Sequence, residues 1–388
     1  MKAHATPHVM GAVVAVTVAV VVVAYMRCSL KGGDVHDEYV EAIPIEKAVG
    51  PESLAFDPRG EGPYTGVSDG TIIKWHPTLH RWLNFAVVTS SPRAKDDDEE
   101  SESESDEECG GSIEQQKKKE HICGRPLGLC FCNHTGELYI ADAYKGLLVI
   151  GPDGGTASSV VITSHQQEPE PSTFTNSLDI DQTTGVVYFT SSSSIYQRRN
   201  YISLILSKDK TGRLMKYDAQ SKQATVVLKN LIFANGVALS KDGDYILIVE
   251  TTNCRVLKYW LNTPKAGTLE HFADLLGFPD NIKRSPRGGF WVGMHSRRDK
   301  LIQWILSYDW IGKVLVKVPL DITRIYSYLA KLKGSSGIAI RLSEEGDVLE
   351  IVEDFVRNSI SEVEEKDGVL WVGSIDTPFA AKYKRISQ

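Results

Sequence analysis

The feature that most constrains this chain is an internal repeat of one short hairpin. A strand, a turn ending in glycine and a second strand recur six times. The copies run Ser53 to Gly60 before Tyr64, Gly128 to Gly136 before Leu138, Ser177 to Gly185 before Val187, Gly236 to Gly243 before Tyr245, Asn281 to Gly288 before Phe290, and Glu362 to Gly368 before Leu370. A single such hairpin, with apolar residues alternating along it, cannot bury its own faces, and radial packing of repeats solves that. Outer strands follow some of the copies, as in Gly212 to Asp218 and Arg255 to Leu261. The turn glycines recur about every 45 to 60 residues, the range of propeller repeats. The intervals Gly60 to Gly136 and Gly288 to Gly368 are longer and contain insertions. The expected architecture is all-β: a six-bladed β-propeller over residues 32–388 with short helical cap insertions, preceded by a signal or anchor segment over 1–31.

That first segment is an apolar run from Val9 to Met26, rich in valine and alanine, with Lys2 before it and Arg27 and Lys31 after it. Its length lies between a signal-peptide core and a bilayer span of roughly 20 residues. Cleavage after Ala24 and retention as a membrane anchor are both open, and either sends the chain into the secretory or endomembrane pathway: vacuole, endoplasmic reticulum or the outside of the cell. The net charge of -7 comes largely from Asp96 to Glu108, which holds ten carboxylates. This removes nucleic acid as a partner, because no basic stripe is available to meet phosphates. Residues 94–120 read as an acidic, unpacked loop, with serine phosphorylation or cation binding as alternative roles. A second insertion, 301–333, carries Trp304 and Trp310 at mixed helical spacing and reads as a cap over one mouth, enclosing an apolar pocket. The stretch from Ile195 to Ser207 reads as part of the same cover.

Cys109 and Cys123 flank the short stretch Gly110 to Ile122 and are the candidate disulfide. Cys130 and Cys132, on one strand, face the same way and read as core. Asn133-His134-Thr135 is a glycosylation sequon at a turn.

The repeat also locates a site. Eight or nine residues before the turn glycine stand Glu52, Asn176, Asn235 and Asp280, whereas the second blade has Leu127 or Gly128 and the sixth has Ile360. Rotation about the channel brings equivalent positions to one axial point, so two carboxylates and two amides meet there. A divalent cation would neutralise them, and all-oxygen ligation suits Ca2+. Asn281 is a candidate fifth ligand. A bound cation could polarise the carbonyl of an ester or lactone, and Asp142 is a candidate general base.

Three segments, Leu178 to Thr190, Lys210 to Asp218 and Asn281 to Arg284, resemble the central region of the plant strictosidine synthase-like family. That resemblance implies a six-bladed propeller of the endomembrane system and the Cys109–Cys123 disulfide. Family members that condense an amine with an aldehyde use a glutamate in the sixth blade. Counted back from Asp367-Gly368, its place here holds Ser361, which cannot act as a comparable base. Glu362 is adjacent, and strict strand alternation would turn it to the opposite face. The segments Phe233 to Gly236, Pro279 to Ile282 and Trp291 to His295 are similar to the paraoxonase and gluconolactonase group of calcium-dependent hydrolases. That similarity implies calcium ligation by Glu52, Asn176, Asn235, Asp280 and Asn281 and sets His295 near the active site, with a packing role as its alternative. The histidine pair of paraoxonases has no counterpart at Leu127 or near Ala143. Ser53 and Ser177 replace the acids of a second calcium site. The resulting expectation is a metal-dependent hydrolase of a small apolar ester, lactone or specialised metabolite. The alternatives are a condensing enzyme and a non-catalytic binding or maturation protein.

Overall fold

The computed structural model describes residues 40–88, 109–160, 174–298, 300–317, 323–325, 337–353 and 359–384. The signal or anchor segment and the carboxylate run from Asp96 to Glu108 lie outside the described residues.

Six antiparallel sheets form the blades of a propeller. In blade 3 the strands Phe174–Ile180, Val187–Ser193, Gly212–Asp218 and Gln223–Leu231 lie in sequence order from the axis outward, and blade 4 repeats the pattern from Ala234–Leu239 to Leu269–Asp274. Blade 1 gains a fifth, parallel edge strand, Gly155–Thr156, beside Arg81–Val87. Blade 6 is closed by the first strand of the described residues. Its strands Glu362–Lys366, Val369–Gly373 and Phe379–Lys384 are completed by Val40–Pro44, with Val40 opposite Tyr383 and Pro44 opposite Phe379.

Hydrophobic clusters fill the gaps between neighbouring blades. Leu129, Leu138 and Ile140 of blade 2 pack on Tyr64 and Ile72 of blade 1. Cys132, with Cys130 at its edge, joins Leu178 and Phe189 of blade 3. Ile246 and Ile248 of blade 4 meet Leu214 and Leu231 of blade 3. Trp291 of blade 5 meets Val363 and Leu370 of blade 6. Cys132 is therefore a core residue, and Cys130 is half-buried at the cluster's edge. Near the axis neighbouring blades come so close that side chains are excluded. A Cβ on Gly236 would fall 2.6 Å from Ile282 N, and one on Gly293 would fall 2.5 Å from Ser361 O.

Three insertions gather at one mouth, the end from which the inner strands start. Helix α1, Ile113–Cys123, replaces the loop expected between the two cysteines. Ser112 and Gln115 form a capping box that satisfies its first amides, and Cys109 is bonded to Cys123 across a Cα separation of 5.6 Å. The helix is also bolted down, since Gln116 donates to Lys47 O (2.6 Å) and bonds the Ser68 hydroxyl. Thus the unpacked loop expected over 94–120 gives way to ordered helix over its last residues. Helix α2, Tyr201–Ser207, follows a 3-10 turn at Arg198–Asn200 and buries Ile202, Leu204 and Leu206. Helices α3, Lys300–Ser307, and α4, Asp309–Leu315, realise the described part of the cap. Helix α4 lies tight on α2, where a Cβ on Gly312 would fall 1.9 Å from Leu206 O, and Lys208 pairs with Asp309 at 2.7 Å. The cap's tryptophans do not face inward: Trp304 and Trp310 are 53% and 66% exposed. Leu204 supplies the apolar contact instead, beside Leu127, Phe174 and Phe233.

Candidate metal centre at the channel mouth

The expected ligands come together. Glu52, Asn176, Asn235, Asp280 and Asn281 are all buried. In blades 3, 4 and 5 the inner strand breaks register at this point, between Thr175 and Leu178, Ala234 and Val237, and Pro279 and Ile282. Such bulges re-aim side chains away from strict alternation.

The amides are oriented by hydroxyls. Asn176 Nδ2 donates to Ser192 Oγ (3.1 Å), and Asn235 Nδ2 donates to Thr251 Oγ1 (3.0 Å) and Asp280 Oδ1 (2.8 Å). Their nitrogens are engaged and their oxygens are left over. Glu52 Oε2, Asn176 Oδ1, Asn235 Oδ1 and both amide atoms of Asn281 are buried without a hydrogen-bond partner. Orphaned buried oxygens are costly and call for a cation or water. Burial and the charge of Glu52 push the Asp280 carboxyl well above the usual carboxylate range, and burial raises Glu52. The residues therefore fit a hard divalent cation. Among the described residues no group of three His, Cys, Asp or Glu forms a metal site; the set here is two carboxylates with amide oxygens.

The sixth-blade position of the ring is held by Ser361, whereas Ile360 belongs to the core with Trp291 and Val363. Ser361 Oγ donates to Glu52 O (2.5 Å), and Ser361 O accepts from Asn281 N (2.9 Å). Glu362 is not turned away as alternation implies. Gly373 pairs with Glu362 and also accepts from Ser361 N, so two consecutive residues face one. Both side chains consequently reach blade 1. Glu362 Oε1 accepts from Leu54 N (2.8 Å) and Ser53 Oγ (3.0 Å).

Two arginines that the sequence did not single out complete the mouth. Arg125 is fully buried, donates to Val49 O (3.2 Å) and Gly50 O (2.9 Å), and lies 3.9 Å from Glu52 Oε2. Arg198 Nη2 approaches the same oxygen to 3.9 Å while Nη1 donates to both carboxylate oxygens of Glu120 on α1 (2.8 and 3.0 Å). Glu120 also accepts from Tyr144 Oη (3.1 Å). Asp142 supports this chain from behind. Its Oδ1 accepts from the amides of Tyr144 (2.9 Å) and Lys145 (2.8 Å) and holds the turn that presents Tyr144. Burial pushes Asp142 up to about 6. Its Oδ2 is buried without a hydrogen-bond partner, and among the described residues no hydrogen bond or ion pair joins Asp142 to the ring. His295 belongs to the mouth. Met294 pairs with Pro279, setting His295 beside the strand end that carries Asp280, and burial lowers its pKa. Asn133 is exposed at a turn.

Comparisons with known proteins give the family and the fold. A family model for strictosidine synthase matches residues 176–264, and one for the strictosidine synthase-like N-terminal region matches 38–75. Strictosidine synthase-like 2 of Arabidopsis thaliana is 53% identical over 352 residues, covering 88% of each chain. The chain belongs to the strictosidine synthase-like family. Strictosidine synthase-like 10 and 3 of the same plant are 47% and 44% identical, over 88% and 87% of this chain. Among solved structures the fold is shared with regucalcin, a calcium-binding protein of Agrobacterium tumefaciens (TM-score 0.53, 11% identity, 91% of this chain and 95% of that one). It is shared equally with a gluconolactonase of Xanthomonas campestris (TM-score 0.52, 9% identity, 92% and 99%).

Proposed function

We propose that this member of the family is a calcium-dependent hydrolase of small apolar esters or lactones and that it does not condense amines with aldehydes. The single observation that carries the reading is the set of buried oxygens of Glu52, Asn176 and Asn235 that accept no hydrogen bond, beside the carboxylate of Asp280. Those four residues, with Asn281, would hold the ion. When bound, it would supply Lewis acidity to a substrate carbonyl.

The chain's own groups would do the rest. Leu127, Phe174, Leu204 and Phe233 pack into a buried apolar cluster beneath α2, against which an acyl or ring moiety would be held out of water. Burial lowers the pKa of His295, which favours the neutral imidazole that would accept a proton from an attacking water and return it to the leaving oxygen. Arg198, fixed by Glu120, sets a guanidinium at the rim, where it can orient an oxygen-bearing substrate. Condensation chemistry is disfavoured by Ser361, whose hydroxyl is engaged with a backbone carbonyl and cannot manage an amine's protons. The disulfide and the exposed sequon accord with an oxidising, secretory compartment as the place of action.

The test is calcium titration calorimetry with aryl-ester and lactone assays on the protein and on Asn235→Ala. The reading expects binding and turnover that fall together in the variant. Binding of calcium with no turnover of either substrate class would leave a binding protein instead.

A further inference from the structure

Most of the exposed large apolar side chains among the described residues stand at the mouth that carries the insertions, and the proposed chemistry uses none of them. On α3, Trp304 lies one turn from Tyr308, with the two rings edge to face and 5.7 Å between centroids, and they are 53% and 47% exposed. On α4, Trp310, Lys313 and Val314 share one face by helical spacing, continued by Lys317 in the turn that follows, and all four are exposed. Gly312, on the opposite side of α4, is the residue pressed against Leu206 O of α2, so packing fixes this face outward. Ile195, 63% exposed, adds an apolar group on the insertion that carries α2. The charge beside these groups has one sign. From Lys300 to Lys317 the chain holds three lysines and a single acid, Asp309, and that acid is paired with Lys208 at 2.7 Å. Arg199 and Lys210 stand exposed on either side of α2.

Exposed tryptophan and tyrosine bordered by lysine suit a membrane–water boundary, where the rings sit at headgroup level and the ammonium groups meet anionic phosphates. A second copy of the chain fits worse, because a two-fold contact through this face would set its lysines against one another with Asp309 already engaged. We infer that the outward face of α3 and α4 docks the mouth onto an anionic lipid bilayer, a contact separate from any made by the apolar run Val9 to Met26. The inference rests on the cap and not on the calcium ring. Joined to the hydrolase reading, it would let an apolar ester pass from the bilayer to the mouth.

Tryptophan emission of the full chain, titrated in chelator with vesicles of phosphatidylcholine and phosphatidylserine whose acyl chains carry bromine, tests it. Bromine quenches indoles that reach the lipid, so the readout reports the cap whether the leading run is kept or removed. Chelator keeps calcium from bridging protein and lipid and separates the outcome from that of the metal site. The parent should be quenched, and the double variant Trp304→Phe, Trp310→Phe should lose that quenching while melting like the parent. Lys313→Glu with Lys317→Glu should lose most of it too, because each charge near an anionic surface contributes to binding. Parent emission that brominated vesicles leave unchanged would overturn the inference, as would quenching that survives in the phenylalanine variant. An unquenched parent that sediments as a dimer would assign the face to a second copy instead.

Discussion

Replacing Asp280 by asparagine should move metal affinity and metal-free stability in opposite directions. The side chain keeps its size but loses one of the two carboxylates of the ring at the mouth. At an effective dielectric of ~20 and ~4 Å, one pair of unit charges is worth about 4 kcal/mol. A divalent ion loses about twice that on removal of one carboxylate, offset by about 4 kcal/mol because only the parent must first ionise Asp280 against the charge of Glu52. The net loss of about 4 kcal/mol corresponds to calcium binding roughly a thousandfold weaker. Without calcium the balance reverses, because the carboxyl of Asp280 is raised by burial and by Glu52. A raised acid binds more protons folded than unfolded, so its contribution to stability is lost as pH climbs from the ordinary carboxylate range through the raised value. Asp280→Asn should remove that slope and be at least as stable as the parent in chelator near neutral pH. Urea unfolding in chelator at several pH values, with and without calcium, reads both effects. A variant that binds calcium as well as the parent, or that loses several kcal/mol in chelator, would refute the charge argument.

Other expectations concern the scaffold around the ring. Glu364 is pushed up to about 8, chiefly by burial, so stability should fall between about pH 5 and 8, and Glu364→Gln should flatten that decline in urea titrations. Serine at both Cys109 and Cys123 removes a cross-link whose loop length is worth about 3 kcal/mol at most. It should also lower turnover by freeing Glu120 from Arg198, measurable as a larger change in kcat than in KM. Ser361→Glu should not confer condensation of an amine with an aldehyde. A carboxylate placed there, beside Glu52 and Glu362, should instead cost about 3 kcal/mol or more in unfolding experiments.

What the sequence revealed followed from its repetition. One rotation rule acting on Glu52, Asn176, Asn235 and Asp280 located the ring, because their offsets from the turn glycines are shared across blades. The rule failed where local backbone departs from the repeat. The bulge at Ser361 and Glu362 turned both residues toward blade 1 against simple alternation, and counting alone favoured Ile360. Arg125 and Arg198 were hidden for another reason: they enter from α1's exit and from an insertion, whose placement no repeat dictates. One signal was present and unread: Ser112 and Gln115 spelled the capping box of α1. The closing strand Val40–Pro44 carries no turn glycine of its own, and its partner lies at the other end of the chain.

The central claim is that the oxygens of the ring at the mouth hold a catalytic calcium ion. Initial rates of aryl-ester and lactone hydrolysis, measured against free calcium on the chelator-treated chain, test it most directly. The account predicts activity that vanishes in chelator, returns with calcium in step with its binding, and does not return in Asp280→Asn at the same calcium concentration. Hydrolysis that continues undiminished in chelator would contradict it.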